Sequence, residues 1–231
     1  MQADDKSKLL WNAVDSGQYK DAKKLIGKSN CDVNYKNETR FDATPLHQAA
    51  KKGHVELVKL LMKHKADIEV KTKNGWTPLH YAAEEGFGEI VELFIKTIKD
   101  INCTTKGGST PLFLAAKYGH TETMKILTDA GANTAIKKGE LSPLQIAAQN
   151  GHILAVEYIL KKGDKDLIGA FHSAVEKGHV DVVRLLRDSG ANVNEKTVVG
   201  DFPIHLAAWN GQVKVIKYLM KMGGRVNASN K

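Results

Sequence analysis

The sequence predicts an all-α repeat solenoid, a stack of short helix pairs with no single globular core, and two observations carry that prediction. A glycine returns at Gly17, Gly53, Gly86, Gly119, Gly151, Gly178 and Gly211, in steps of 36, 33, 33, 32, 27 and 33 residues. A recurrence of this length marks stacked supersecondary units. A helix-start motif also stands at constant distance before five of these glycines: Thr44-Pro45-Leu46-His47, Thr77-Pro78-Leu79-His80, Thr110-Pro111-Leu112-Phe113, Ser142-Pro143-Leu144-Gln145 and, more loosely, Phe202-Pro203-Ile204-His205. Such a stack offers a long, shallow binding surface and no natural catalytic pocket.

Each element follows from local chemistry. The Thr or Ser hydroxyl caps an orphan amide, and Pro at the first helical position gives up an N–H that the helix does not use. Paired alanines come next, Ala49-Ala50, Ala82-Ala83, Ala115-Ala116, Ala147-Ala148 and Ala207-Ala208; they favour helix and let neighbouring backbones approach closely. The recurring glycine then ends this first helix in a left-handed residue. A second helix follows, with apolar residues at helical spacing, such as Val55, Val58, Leu61 and Met62, or Val180, Val183 and Leu186. A turn and a short extended piece close the unit, as in Gly190-Ala191-Asn192-Val193-Asn194.

TPLHQAAKKGHVELVKLLMKHKADIEV, TPLHYAAEEG and SGANVNEKTVVGDFPIHLAAWNG resemble ankyrin repeats, in register over essentially the whole chain. The resemblance implies paired antiparallel helices with β-turn fingers, the fingers and first helices lining a concave face and the second helices forming the convex back. Residues 1–231 are then one ankyrin-repeat domain: repeat 1 over about 5–35, repeats 2–7 over about 36–222, and 223–231 the start of a further turn or a tail.

Departures from the pattern are informative. Repeat 1 has Lys8-Leu9-Leu10-Trp11 in place of the capping tetrapeptide and a highly charged second helix, Tyr19–Ile26, which is similar to an N-terminal capping repeat. Gly223-Gly224-Arg225-Val226-Asn227 reads as the turn into an eighth unit, so the chain is expected to be a piece of a longer ankyrin protein, or its last repeat to be covered by a partner or to stay exposed. Only Asp164-Lys165-Asp166-Leu167-Ile168-Gly169 separates Gly163 from Ala170, so the finger between repeats 5 and 6 is expected to be missing and the concave wall notched. The coupling between repeats is expected to be weakest there.

Other functions find little support. Of nine histidines, His47, His80, His172 and His205 hold the fourth motif position, and His54, His120, His152 and His179 follow the recurring glycine, leaving only His64 outside the repeat. The resemblance implies that the first group hydrogen-bonds the turn and the capping residue. No zinc-type spacing, phosphate loop, paired carboxylates or nucleophile elbow occurs, and Gly107-Gly108 reads as a finger turn. No enzyme activity, metal or cofactor is expected. Cys31 and Cys103 fall in different units and are expected as reduced thiols. No stretch reaches the ~18 apolar residues of a membrane span, and MQADDKSK lacks a signal-peptide core; a cytoplasmic location is expected, with nuclear or host-delivered chains as alternatives. Asn34, Asn102, Asn194 and Asn227 sit in turns whose asparagines undergo hydroxylation in some ankyrin repeats, though satisfying the turn backbone is the expected role.

What the sequence does predict is a protein-binding surface. The positions between the alanine pair and the glycine are expected to project into the groove: Lys51 and Lys52, Glu84 and Glu85, Lys117 and Tyr118, Gln149 and Asn150, Glu176 and Lys177, Trp209 and Asn210. With the finger residue Trp76 they make the candidate binding set. Trp209, Tyr118 and Trp76 are its anchors, because aromatic side chains dominate interface hot spots, with Trp209 the better one, since Trp76 sits where the resemblance implies a tryptophan packed on the next finger. The partner is another protein, bound by a monomer. The net charge of +8 raises a second reading, a basic solenoid for nucleic acid or acidic lipid headgroups, carried by Lys51, Lys52, Lys106, Lys137 and Lys138 if they cluster. A third is a targeting domain of a larger effector, channel or enzyme. Lys214, Lys217 and Lys221 share one face of the last helix and are expected on the solvated back.

Overall fold

The structure is a computed structural model and describes residues 3–27 and 31–225. Asn227 lies outside the described residues. Among them are fourteen α-helices and one short 3-10 turn, Glu38–Arg40; extended pairing is limited to two isolated bridges, Asn37 with Ala43 and Lys138 with Leu141. The chain divides into two compact units, Met1–Ala115 with Glu122–Asn133, and Ala116–Thr121 with Thr134–Lys231.

In the first unit α1 (Ala3–Asp15) pairs with α2 (Tyr19–Ile26), α3 (Pro45–Lys52) with α4 (Val55–Lys63), and α5 (Pro78–Glu85) with α6 (Gly88–Ile95). First helices pack side by side, α1 on α3 on α5, and second helices likewise, α2 on α4 on α6. Most of α7 (Pro111–Lys117) and α8 (Thr121–Asp129) also belong to this unit. The second unit repeats the plan with α9 (Pro143–Gln149) and α10 (Ile153–Lys161), α11 (Leu167–Lys177) and α12 (Val180–Asp188), and α13 (Pro203–Trp209) and α14 (Val213–Lys221). There α9, α11 and α13 make one row and α10, α12 and α14 the other.

The helix starts form as their chemistry requires. His80 Nδ1 accepts the Thr77 N–H at 3.1 Å while Thr77 Oγ1 accepts the His80 N–H. At α9 the same box is built from Ser142 and Gln145, at 2.8 and 3.1 Å. In α7 Thr110 caps Phe113, which has no polar atom with which to reciprocate. Alanine pairs from Ala49-Ala50 to Ala147-Ala148 are wholly buried, which is what lets adjacent first helices sit close. All seven recurring glycines have φ between +68° and +81°, the left-handed region that ends the first helix. The first repeat differs from its reading: with neither Pro nor a capping hydroxyl at Lys8, helix α1 runs back to Ala3.

Three further contacts tie one repeat to the next. At five places the residue after a recurring glycine packs on the glycine of the preceding repeat, where a Cβ would crowd it: His54 on Gly17, Phe87 on Gly53, His152 on Gly119, His179 on Gly151 and Gln212 on Gly178. Several also donate to the carbonyl two residues before that glycine, His152 to Lys117 at 2.9 Å, His179 to Gln149 at 3.0 Å and Gln212 to Glu176 at 3.0 Å. Turn asparagines make the second seam, the Oδ1 of Asn34, Asn102 and Asn194 accepting the N–H of Asp67, Asn133 and Arg225.

The third tie joins fingers. In the first unit Lys73 N–H donates to the Phe41 carbonyl at 2.8 Å, and Lys106 N–H to the Asn74 carbonyl at 3.0 Å. Each of these donors follows a threonine that closes its own finger, Thr72 with Trp76 and Thr105 with Ser109. Gly108 has φ +79°, as a finger turn requires. In the second unit the finger expected to be missing is indeed absent: Asp164–Asp166 alone leads into α11, which is eleven residues long against seven for α9 and α13. The next finger, closed by Thr197 and Asp201, therefore has no predecessor to lie on. Its tip residues Val198 and Val199 stand fully and largely exposed.

Candidate protein-binding site

The first helices and fingers carry every residue of the predicted binding set, and the structure sorts them into local groups. In the first unit Trp76 is half-buried and packs at a tilt against Tyr81, with ring centroids 4.9 Å apart, and the Lys51 ammonium sits 5.5 Å from the centre of the Tyr81 ring. Burial, and secondarily the Glu84 carboxylate, raises the pKa of the Tyr81 phenol. Tyr81 is thus the centre of a Lys51–Tyr81–Trp76 cluster, yet it escaped the sequence reading. Its signal was its place just after the motif histidine His80, one helical turn from the finger. Lys52 and Glu85 are exposed, and Glu84 is half-buried.

Beneath this surface His47 and His80 lock finger to helix. Nδ1 of His47 accepts the Thr44 N–H at 3.0 Å, so its proton is on Nε2, 3.0 Å from the Trp76 carbonyl. Nε2 of His80 lies 3.1 Å from the carbonyls of both Cys103 and Ser109. Burial lowers both imidazole pKa values to about 4, so they are neutral at physiological pH. Trp11 holds the corresponding position in repeat 1, where its buried Nε1 has no partner among the described residues. Cys31 and Cys103 are free, and burial raises both thiol pKa values, which disfavours the thiolate.

In the second unit Tyr118 is 42% exposed, with the Lys117 ammonium 4.9 Å from its ring centre. Gln149 is half-buried and its carbonyl is taken by His179. The Asn150 and Asn210 amides fold back onto the carbonyls of Ile146 and Leu206, at 2.8 and 2.9 Å, so both donate to their own helix ends. Lys177 pairs with Glu176 at 2.8 Å.

Trp209 stands apart. Its indole is 91% exposed, the most open aromatic side chain among the described residues, and it forms one wall of a cleft of about 440 Å³ with Glu176, Asp201, His205, Leu206 and Asn210. The three tryptophans are therefore very different in the fold: Trp11 is 5% exposed, Trp76 is packed on Tyr81, and Trp209 is bare. Lys214, Lys217 and Lys221 are exposed on α14, in the row of second helices. Lys137, one of the lysines of the basic reading, is paired with Asp166 at 2.9 Å.

No group of three metal-ligating side chains occurs among the described residues, and none of their helices is long and apolar enough to cross a membrane.

Comparison with known proteins agrees with this architecture. A model of ankyrin repeats in three copies matches residues 10–103 and 87–169, and one of ankyrin repeats in many copies matches 171–220. The chain is 41% identical over 63 residues to protein phosphatase 1 regulatory subunit 27 of Homo sapiens, covering 27% of this chain and 41% of that protein. It is 39% identical over 72 residues to the ankyrin repeat and KH domain-containing protein mask of Drosophila melanogaster, 31% of this chain but 2% of the other. The matched segments thus span less than half of these relatives. A crystal structure of the human ASB11 ankyrin repeat domain superposes with a TM-score of 0.76 at 27% identity, over 81% of this chain and 87% of that one. With family models matching almost its full length on a fold of paired helices and turn fingers, the chain belongs to the ankyrin-repeat family.

Proposed function

We propose that this chain is a non-catalytic scaffold that binds a partner protein through the face made by its first helices and fingers, with Trp209 as the principal anchor. Ankyrin repeats are in general an interaction fold, and relatives of this chain include a regulatory subunit of protein phosphatase 1 and an ankyrin repeat and SOCS box protein. The observation that carries the reading is the bare Trp209 indole beside a cleft. An exposed tryptophan contributes nothing to its own fold and a great deal to an interface that covers it. Tyr118 and the Lys51–Tyr81–Trp76 cluster supply secondary contacts. The chain acts as a monomer in the cytoplasm.

The test is asymmetric. Trp209→Ala should weaken partner capture from native cell extract by roughly 2 kcal/mol or more, whereas Lys217→Glu, on the exposed face of α14, should leave it unchanged. Equal losses from both would replace this reading with general electrostatic attraction, and a steep fall of affinity with salt would favour the basic-surface reading.

A further inference from the structure

We infer that the Trp209 cleft is a receptor for a single cationic side chain, an arginine in an extended segment of the partner; this inference rests on the protein-binding reading above. The cleft is not an apolar slot. It is lined by the exposed indole, by two half-buried acidic residues, Glu176 at the end of α11 and Asp201 at the base of the last finger, and by His205, Leu206 and Asn210. An indole face attracts a cation through its quadrupole. A guanidinium does this best, because it stacks flat on the ring while its edge donates in the plane to carboxylate oxygens.

The local charges leave that place open. Among the described residues, no cation or aromatic ring lies against the Trp209 indole, and the Asp201 carboxylate has no hydrogen-bond or ion-pair partner. Two cations of this end of the chain are engaged elsewhere, Lys196 and Arg225 lying over the Phe202 ring at 4.6 and 5.9 Å. Only Glu176 is neutralised, by Lys177 at 2.8 Å, and both side chains of that pair are more than 40% exposed. Such a surface pair is weak enough for an incoming guanidinium to displace. A carboxylate without a partner beside a bare indole is locally complementary to a cation, although the chain as a whole carries a net charge of +8.

The probe is a blocked glycine pentapeptide with one central arginine, set against the same peptide with citrulline, which keeps the planar shape but exchanges one NH2 donor for a carbonyl and loses the charge. The readout is the Trp209 indole N–H resonance in labelled protein, assigned by its loss in Trp209→Phe. The arginine peptide should shift this resonance saturably, and citrulline should bind about tenfold more weakly, the size of one desolvated cation–π contact. Asp201→Asn and Glu176→Gln should each weaken arginine binding several-fold with no change in thermal midpoint. Lys177→Ala should strengthen it by about two- to fivefold, by freeing Glu176. Equal binding of citrulline and arginine, or no effect of either carboxylate substitution, would overturn the inference. If the arginine peptide fails while Trp209→Ala still abolishes partner capture, the cationic receptor falls and the protein-binding reading survives; failure of both removes both.

Discussion

Acidification should loosen the first unit through His47 and His80, and the size of the effect follows from their burial. Both side chains are essentially inaccessible, both imidazoles are held neutral, and both have a pKa of about 4 against about 6.5 in the unfolded chain. Above pH 6.5 neither state takes up a proton at these sites, so their contribution to stability is complete and flat. As pH falls below 6.5 the unfolded chain protonates first, and stability is lost until the folded-state value near 4 is reached. Integrated from pH 7.5 to pH 5, each histidine removes about 2 kcal/mol and the pair about 4 kcal/mol, a large part of the 5–15 kcal/mol typical of a domain. With a urea slope of about 2 kcal/mol/M the midpoint should fall by roughly 2 M. The assay is urea unfolding followed by Trp76 fluorescence at the two pH values. His80→Gln preserves the cap in the way that Gln145 does in α9, and although it sacrifices the bonds to Cys103 and Ser109, it should halve the pH-dependent loss; His47→Gln/His80→Gln should nearly abolish it. A wild-type midpoint that does not move between pH 7.5 and 5, or a double variant that loses as much as the wild type, would refute the argument.

Other outcomes follow from the seams between repeats. Gly119→Ala should destabilise by about 3 kcal/mol, because φ is +75° and the new methyl would stand 2.6 Å from the His152 ring; Gly211→Ala, at φ +68° with nothing within 4 Å, should lose only the backbone term of about 1–2 kcal/mol. Urea midpoints of the two variants make the comparison. Asn194→Ala removes the acceptor of Arg225 N–H and the donor to the Gly223 carbonyl, so the Arg225 amide should exchange with solvent several-fold faster, while amides of α10 should not change. Trp209→Ala should alter the thermal midpoint by no more than the equivalent of about 0.5 kcal/mol, since an indole 91% exposed contributes almost nothing to packing; early melting would show that it does.

The expectation of weak coupling beside the absent finger now meets specific contacts that span that junction. His179 reaches the Gln149 carbonyl and packs on Gly151, Lys137 pairs with Asp166, and α11 gains a turn at its start where the finger would have been. Separate denaturant transitions on the two sides of this junction would show that these ties do not replace the finger-to-finger bond.

The sequence by itself determined the repeat, the helix pairs, and their starts and stops, and the family resemblance implied the histidine caps. Each of these is decided within a few residues: a hydroxyl before a proline, a buried alanine pair, a glycine that alone enters the left-handed region without strain. It also placed the missing finger, since a shortened interval leaves no chain to build one. Tertiary structure decided what depends on a neighbour some 33 residues away. Whether a tryptophan is core, packed on a ring or bare is set by what the fold lays against it, as Trp11, Trp76 and Trp209 show. The same reason hid Tyr81 as the centre of a cluster, turned the Asn150 and Asn210 amides back onto their helices, and gave His152 and His179 a carbonyl to hold in the preceding repeat. Exposure and partnership belong to pairs of repeats, whereas a helix start belongs to one.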